Sequence, residues 1–377
     1  MMAIGKPFLR AAGLATMLAL PFTAQASAAP SVPAGTGYTI SLFAAGNVSG
    51  CVAPGNAASP TCYYNADSLT NDSNFVYAGY QNSGAADGSS GSGIVAKYSQ
   101  SGGAALAFSS AFSGKMDGLR VDPFTGQLWV LNNEDANPML RILDPATMAV
   151  VFESALPTNT PFSGGYDDLA FTPFGTFMSA SNPGTNKNGT NNRRAVVRVD
   201  ISSGSVVLNP VLNREVVATD RSTGAQIKVS LTDPDGLSLV PGTNTAVLDG
   251  QGDSTLLFFD YQGGEATNVS ALFLQPSPTT ACGNPPSLPA VPCPPIVDET
   301  TWVPATGGHL LVADHAKPGA VYSVWKTGGF TPGTAYTSVS SDNPTLAKTL
   351  GTLDTTTGVI TPAVTGFSGP KALIFIP

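Results

Sequence analysis

Five aspartates stand at one recurring place in this chain: Asp67 in NADSLT, Asp117 in MDGLRV, Asp167 in YDDLAFT, Asp235 in PDGLSL and Asp298 in VDETTW. Successive members are 50, 50, 68 and 63 residues apart, and 73 residues further on Lys371 takes the sixth place in GPKALIF. Carboxylates brought together raise each other's pKa unless something neutralises them. A hard cation does this with oxygen ligands, roughly six to eight of them for Ca²⁺. An internal ammonium such as Lys371 does it without an ion. The alternative is mechanical: an aspartate opening a strand can bind nearby backbone amides and hold the repeat in register.

Side chains between the recurring positions extend the candidate site. The metal-ligand candidates for Ca²⁺ or Mg²⁺ are Asp117, Glu134, Asp167, Asp235, Asp249 and Asp298. Glu134, in NNEDANP, is an acid–base candidate because four polar side chains crowd one loop there. His315, in LLVADHAK, is the other, as a histidine with an ordinary pKa titrates near neutrality. His309 lies on the far side of its strand and reads as incidental. Candidate binding residues are Asp67, Gln81, Asn82, Asn133, Asn182, Gln251, Asp314 and Lys371. No nucleotide or organic cofactor is indicated: Walker, G-x-S-x-G and H-E-x-x-H patterns are absent, and GSSGSG at 88–93 lacks the lysine a phosphate loop needs.

The elements that must position these groups are strands. No stretch keeps a helical period; short apolar or alternating runs recur, bounded by Gly, Pro, Asn and Asp. The segment 116–154 reads as four short strands, and the same order returns from 166, 234 and 297, with a weaker copy from 65. A four-stranded unit repeated at this length is the signature of an all-β propeller. Six blades are favoured, with five or seven as alternatives. YTISLFAAG at 38–46 and GPKALIFIP at 369–377 each lack a complete unit, so strands from both ends are expected to close the ring in one blade. Propeller strands alternate in direction, so loops sort onto two faces. The tight turns DPFTGQ, TPFG, VPGTN and PATGG share one face, which puts 14 of the 25 acidic residues on the other.

The units DGLRVDPFTGQLWVLNNE, DPDGLSLVP and AVTGFSGPKALIF resemble those of the secreted NHL/SMP-30-like propellers, whose members include lactonase-like and streptogramin-lyase-like proteins. The resemblance covers roughly residues 38–377, and GYQNSGAADGSSG and NNEDANP look like stretches of a group of uncharacterised exported bacterial propellers. It implies the fold and a site at the channel mouth. The Glu-Gly-Pro ligand of gluconolactonase-type members is absent, and His309 and His315 are the only histidines, so any chemistry falls to the residues named above.

The ends and the cysteines speak to compartment. Lys6 and Arg10, an apolar run from Ala11 to Phe22 and small residues to Ala28 read as a signal peptide over 1–26, then a flexible segment over 27–37. Removing Lys6 and Arg10 takes the net charge from −8 to −10. Cys51, Cys62, Cys282 and Cys293 allow three pairings. Their matched spacing of eleven favours 51–62 and 282–293, and each pair lies at the same distance before a ring aspartate. Zinc would want closer cysteines or nearby histidines. Export to the periplasm or medium is expected, with one propeller domain over 38–377.

Only 11% of residues are charged, against about a quarter in a typical domain. The acidic excess excludes a nucleic-acid backbone as partner, and the apolar run near the start is shorter than the roughly 20 residues of a membrane span. Two functions fit: a metal-dependent hydrolase of lactonase or esterase type, or a non-catalytic propeller that binds a small molecule, glycan or protein through its acidic face.

Overall fold

A computed structural model describes residues 29–51, 57–157, 164–181, 193–276, 295–339, 346 and 348–377. The signal-peptide segment, Asn182 and the pair Cys282 and Cys293 lie outside the described residues. Six sheets stand around one axis, making a six-bladed β-propeller. Their inner strands are Ala66–Asn71, Met116–Val121, Tyr166–Thr172, Pro234–Leu239, Val297–Trp302 and Pro370–Ile376, which open blades 1 to 6. The core is divided the same way: six apolar clusters each fill the gap between two adjacent blades. Middle strands therefore face apolar neighbours on both sides. Leu128–Asn132 is buried throughout, whereas the outer strand Val150–Ala155 of the same blade alternates half-buried and exposed.

Local chemistry explains three of the acids that lie away from the channel. Asp122, Asp220 and Asp354 each open a D-x-x-T-G turn, accepting amide or hydroxyl hydrogen bonds from the residues two and three further on.

One device recurs in every blade and positions the site. The ladder between inner strand and second strand slips once, as where Met116 pairs Asn132 and the next pair is Leu119 with Val130. The same slip occurs in the other five blades. Each leaves the residue at the recurring position out of the ladder: Asp67, Asp117, Asp167, Asp235, Asp298 and Lys371. A bulge bends the strand and re-aims a side chain, here toward the axis.

Strands from both ends share the closing blade, as expected. Its order is Pro370–Ile376, His309–Asp314, Ala320–Lys326 and Tyr38–Ala45. The contents of the last two blades differ from the sequence reading, however. The unit from 297 to 329 does not form one sheet. Val297–Trp302 pairs with Ala335–Val339 in blade 5, while the two strands between them cross into blade 6. The crossing segment approaches the final strand so closely that a Cβ on Gly308, at φ 115°, would lie 2.2 Å from the Ile376 carbonyl oxygen. Gly308→Ala is therefore expected to cost about 1–3 kcal/mol, read as a lowered urea midpoint; an unchanged midpoint contradicts the exchange.

The wide spacing before blade 4 also has a cause. Glu215–Asp220 and Gln226–Ser230 extend that blade to six strands, the first running parallel to Glu265–Phe273. Cys51 and Cys62 form the expected disulfide, with Cα atoms 4.8 Å apart. Ser31 pairs with Thr365 on the outer edge of blade 5. Among the described residues no helix is long and apolar enough to cross a membrane.

Candidate functional site

The bulged positions converge at one end of the channel, in two tiers. The upper tier is a cavity of about 340 Å³ lined entirely by polar side chains, among them Asp67, Lys115, Glu134, Asp167, Asp235 and Lys371. On the blade 2 side, Lys115 Nζ lies 2.5 Å from Glu134 Oε1 and 3.1 Å from Asp117 Oδ1. On the opposite side Lys371 pairs with Asp298, and Gln251 Nε2 donates to Asp298 Oδ1 at 2.9 Å and also to Asp235. Gln81 connects the closing blade to this arrangement. Its Oε1 lies 3.0 Å from His315 Nε2, and its Nε2 donates to Asp117 Oδ1 at 3.2 Å.

The lower tier closes the channel with Arg120. Its guanidinium meets Asp168 Oδ2 at 2.6 Å and Glu299 Oε1 at 2.5 Å, and donates to the Leu69 carbonyl at 3.2 Å. Asp168 also accepts from the Leu237 amide at 2.9 Å, and Glu299 from the Leu373 amide at 2.9 Å. Leu69, Arg120, Asp168, Leu237, Glu299 and Leu373 belong to blades 1 to 6 in turn. One guanidinium thus ties the whole ring together.

Of the six sequence-predicted metal ligands, three come together. Asp117, Glu134 and Asp167 offer carboxylate oxygens all within 4.8 Å of one another. Asp235 and Asp298 are instead engaged by Gln251 and Lys371. Asp249 lies deeper, taking Thr300 Oγ1 at 3.0 Å, because its second-strand position turns it into the blade 4–5 gap. Three expected binding residues are also turned away. Asp314 accepts from the Ser368 amide at 2.8 Å and the Gly369 amide at 2.7 Å, fixing the turn into the last strand. Asn82 clamps the disulfide loop through the Tyr64 amide and Cys62 carbonyl, both at 3.0 Å. Asn133 donates to the Asn137 carbonyl at 3.1 Å within its own loop. Asp67, Gln81, Gln251 and Lys371 do reach the mouth or its margin.

Burial sets the electrostatics. It pushes Asp117 well above the usual carboxylate range against the pull of Lys115, and pushes Asp167 up with added repulsion from Asp235, Glu134 and Asp117. Burial also opposes the charge on Glu134, but Lys115, Lys371 and a hydrogen bond with Asp167 together hold this carboxyl below its ordinary value. Neighbouring carboxyls with diverging pKa values are how one site supplies both an acid and a base. His315 departs from the near-neutral expectation. Burial, then Lys371 and Lys115, pull it down to about 4, so it stays neutral around pH 7.

The trio suits a hard divalent cation in donor type, and Asp117, 2% exposed, keeps its Oδ2 without a hydrogen-bond partner. Lys115 stands beside two of the three carboxylates.

Neither a protein-family model nor a curated protein matches the sequence. Solved structures are similar to the folded chain. The chain is similar to a periplasmic gluconolactonase of Pseudomonas aeruginosa at 12% identity and a TM-score of 0.47, covering 90% of this chain and 99% of that one. A luciferin-regenerating enzyme matches at 12% identity and 0.42, covering 84% and 78%. A protein of unknown function from Bacteroides caccae matches at 10% and 0.44, covering 82% and 86%. Matches this distant leave the chemistry to be read from the chain's own side chains.

Two residues escaped the sequence reading. Lys115 sits in the same fourth-to-first loop class as the acids already placed on that face, which was the available signal. Arg120 announced itself as a charge inside an apolar inner strand, a place where charge survives only when paired. His315 supplies a prediction. Its pKa lies below the unfolded value of 6.5, so its contribution to stability is complete above pH 6.5 and is lost as pH falls toward about 4. Unfolding free energies at pH 7, 5 and 4 should therefore fall more steeply for the wild type than for His315→Gln. Parallel curves would show that burial of this ring is not costly.

Proposed function

We propose that this protein is an exported hydrolase of lactonase or esterase type, taking a small polar substrate at the acidic mouth with Ca²⁺ or Mg²⁺ held by Asp117, Glu134 and Asp167. The observation that carries the reading is the approach of these three carboxylates within 4.8 Å, from two adjacent blades, beside a polar cavity of about 340 Å³. A divalent ion there would supply Lewis-acid polarisation of a carbonyl. Glu134, which belongs to the trio and also lines the cavity, is the group placed to take a proton at a carboxylate oxygen. Asp167 lies within hydrogen-bonding reach of Glu134 and lines the same cavity. Gln81 holds Asp117 in orientation, and neutral His315 holds Gln81.

An exported location agrees with the leader-like first 26 residues and with a disulfide of the kind that persists in oxidising compartments. The test is turnover of a panel of sugar lactones, aliphatic lactones and aryl esters by the purified protein, with and without Ca²⁺ and after chelation. Chelation should abolish hydrolysis and Ca²⁺ restore it; no turnover across the panel would defeat the reading. The second reading, a non-catalytic binding propeller for a small molecule, glycan or protein, is favoured by one feature. On the side of blades 4 to 6 the Lys371–Asp298–Gln251–Asp235 chain already pairs its polar groups with one another.

A further inference from the structure

Lys115 occupies ground that a divalent ion would need. Its Nζ is 2.5 Å from Glu134 Oε1 and 3.1 Å from Asp117 Oδ1, whereas Ca²⁺ sits about 2.3–2.6 Å from its oxygens. Two cations cannot share that space, both for volume and for repulsion. Asp117 Oδ2 is buried without a hydrogen-bond partner, so a ligand atom stays free even with the ammonium in place.

The lysine is anchored at its backbone, and its charge is carried at the end of a long side chain. Its carbonyl accepts from the Asn133 amide at 2.9 Å and from Asn132 Nδ2 at 3.1 Å. The flexible four-carbon stem carries a point charge, and the adjoining cavity of about 340 Å³ gives it room to swing. A second berth is at hand in the next blade. Asp67 lines the same cavity and feels the charges of both Lys115 and Lys371, while its closest side-chain hydrogen bond is from Ser68 at 3.4 Å.

We propose that Lys115 is a tethered cation that competes with a divalent ion for Asp117, Glu134 and Asp167, moving to Asp67 when the ion binds and so setting the ion affinity of the site. The proposal rests on the metal reading in using the same three carboxylates, and it adds regulation of that site by the chain's own ammonium.

Calorimetric titration with CaCl₂ tests it on the whole purified protein, on Lys115→Gln, on Asp67→Asn and on the double variant. Lys115→Gln should bind Ca²⁺ more tightly than wild type, on the order of tenfold or more. Asp67→Asn should weaken binding while Lys115 is present and have little effect once it is gone, a non-additivity that a double-mutant cycle isolates. Equal or weaker affinity in Lys115→Gln overturns the proposal and leaves the metal reading standing if the wild type binds. Binding by Lys115→Gln alone upholds the competition and removes metal dependence from the wild-type enzyme. Should that variant not fold, unchanged or tighter binding by Asp67→Asn overturns the proposal. Absence of Ca²⁺ binding in every protein overturns both ideas.

Discussion

Arg120→Met is expected to lower folding stability by about 3–5 kcal/mol, the loss seen when one partner of a buried ion pair is removed. Asp168 and Glu299 are each 7% exposed and share this one cation. Without it two carboxylates face each other in the channel. Burial already pushes Glu299 up to about 7 against the pull of Arg120, so the uncompensated pair would take up protons or water. The damage reaches beyond the pair, because both carboxylates also hold backbone amides of the neighbouring blades. Arg120→Lys keeps the charge but loses the planar fork that spans two acceptors, so an intermediate loss is expected. Urea unfolding at pH 7 measures both. A change under about 1 kcal/mol for Arg120→Met would mean that apolar packing between blades, not the channel hub, closes the ring.

Glu134→Gln is expected to reduce kcat/KM by about 10²–10⁴, the contribution of a positioned general base, on whichever lactone or ester the wild type turns over. The side chain is nearly isosteric and Lys115 can still donate to the amide oxygen, so the fold should persist. A thermal midpoint close to wild type, together with the loss of turnover, separates chemistry from stability. More than a tenth of wild-type activity in this variant would remove Glu134 from the proton path and point to Asp167 instead.

Much of this could be read from one chain because a propeller repeats short-range rules. Period-two strands, D-x-x-T-G turns and an aspartate in the same place of each unit are all settled within about 50 residues. The bulge that aims Asp117 and its counterparts at the axis left its trace as that constant position. The spacing of Cys51 and Cys62 marked the loop that their disulfide closes. Mistaken or missing elements share another property. The turn PATGG joins Val297–Trp302 to His309–Asp314 just as the tight turns of the other units join their first two strands, so nothing nearby says that Leu310 and Val312 leave for the last strand. Packing of those residues against Tyr336 and Leu350, with Gly308 admitting the close crossing, makes that choice.

Local residue types thus established the repeat, favoured six blades over five or seven, and marked the shared blade at the two ends and the acidic face; the count itself came from the six sheets. Distances between blades established which acids act together. Arg120 reaches partners 48 and 179 residues away, and three of six candidate ligands meet while Asp249 turns into a blade gap. Burial then shifted the charges: it made His315 a poor base and left Glu134 dependent on Lys115, Lys371 and Asp167 for its lowered pKa. Proton affinity depends on desolvation and on neighbours brought from other blades, and neither is written in the order of residues along a single strand.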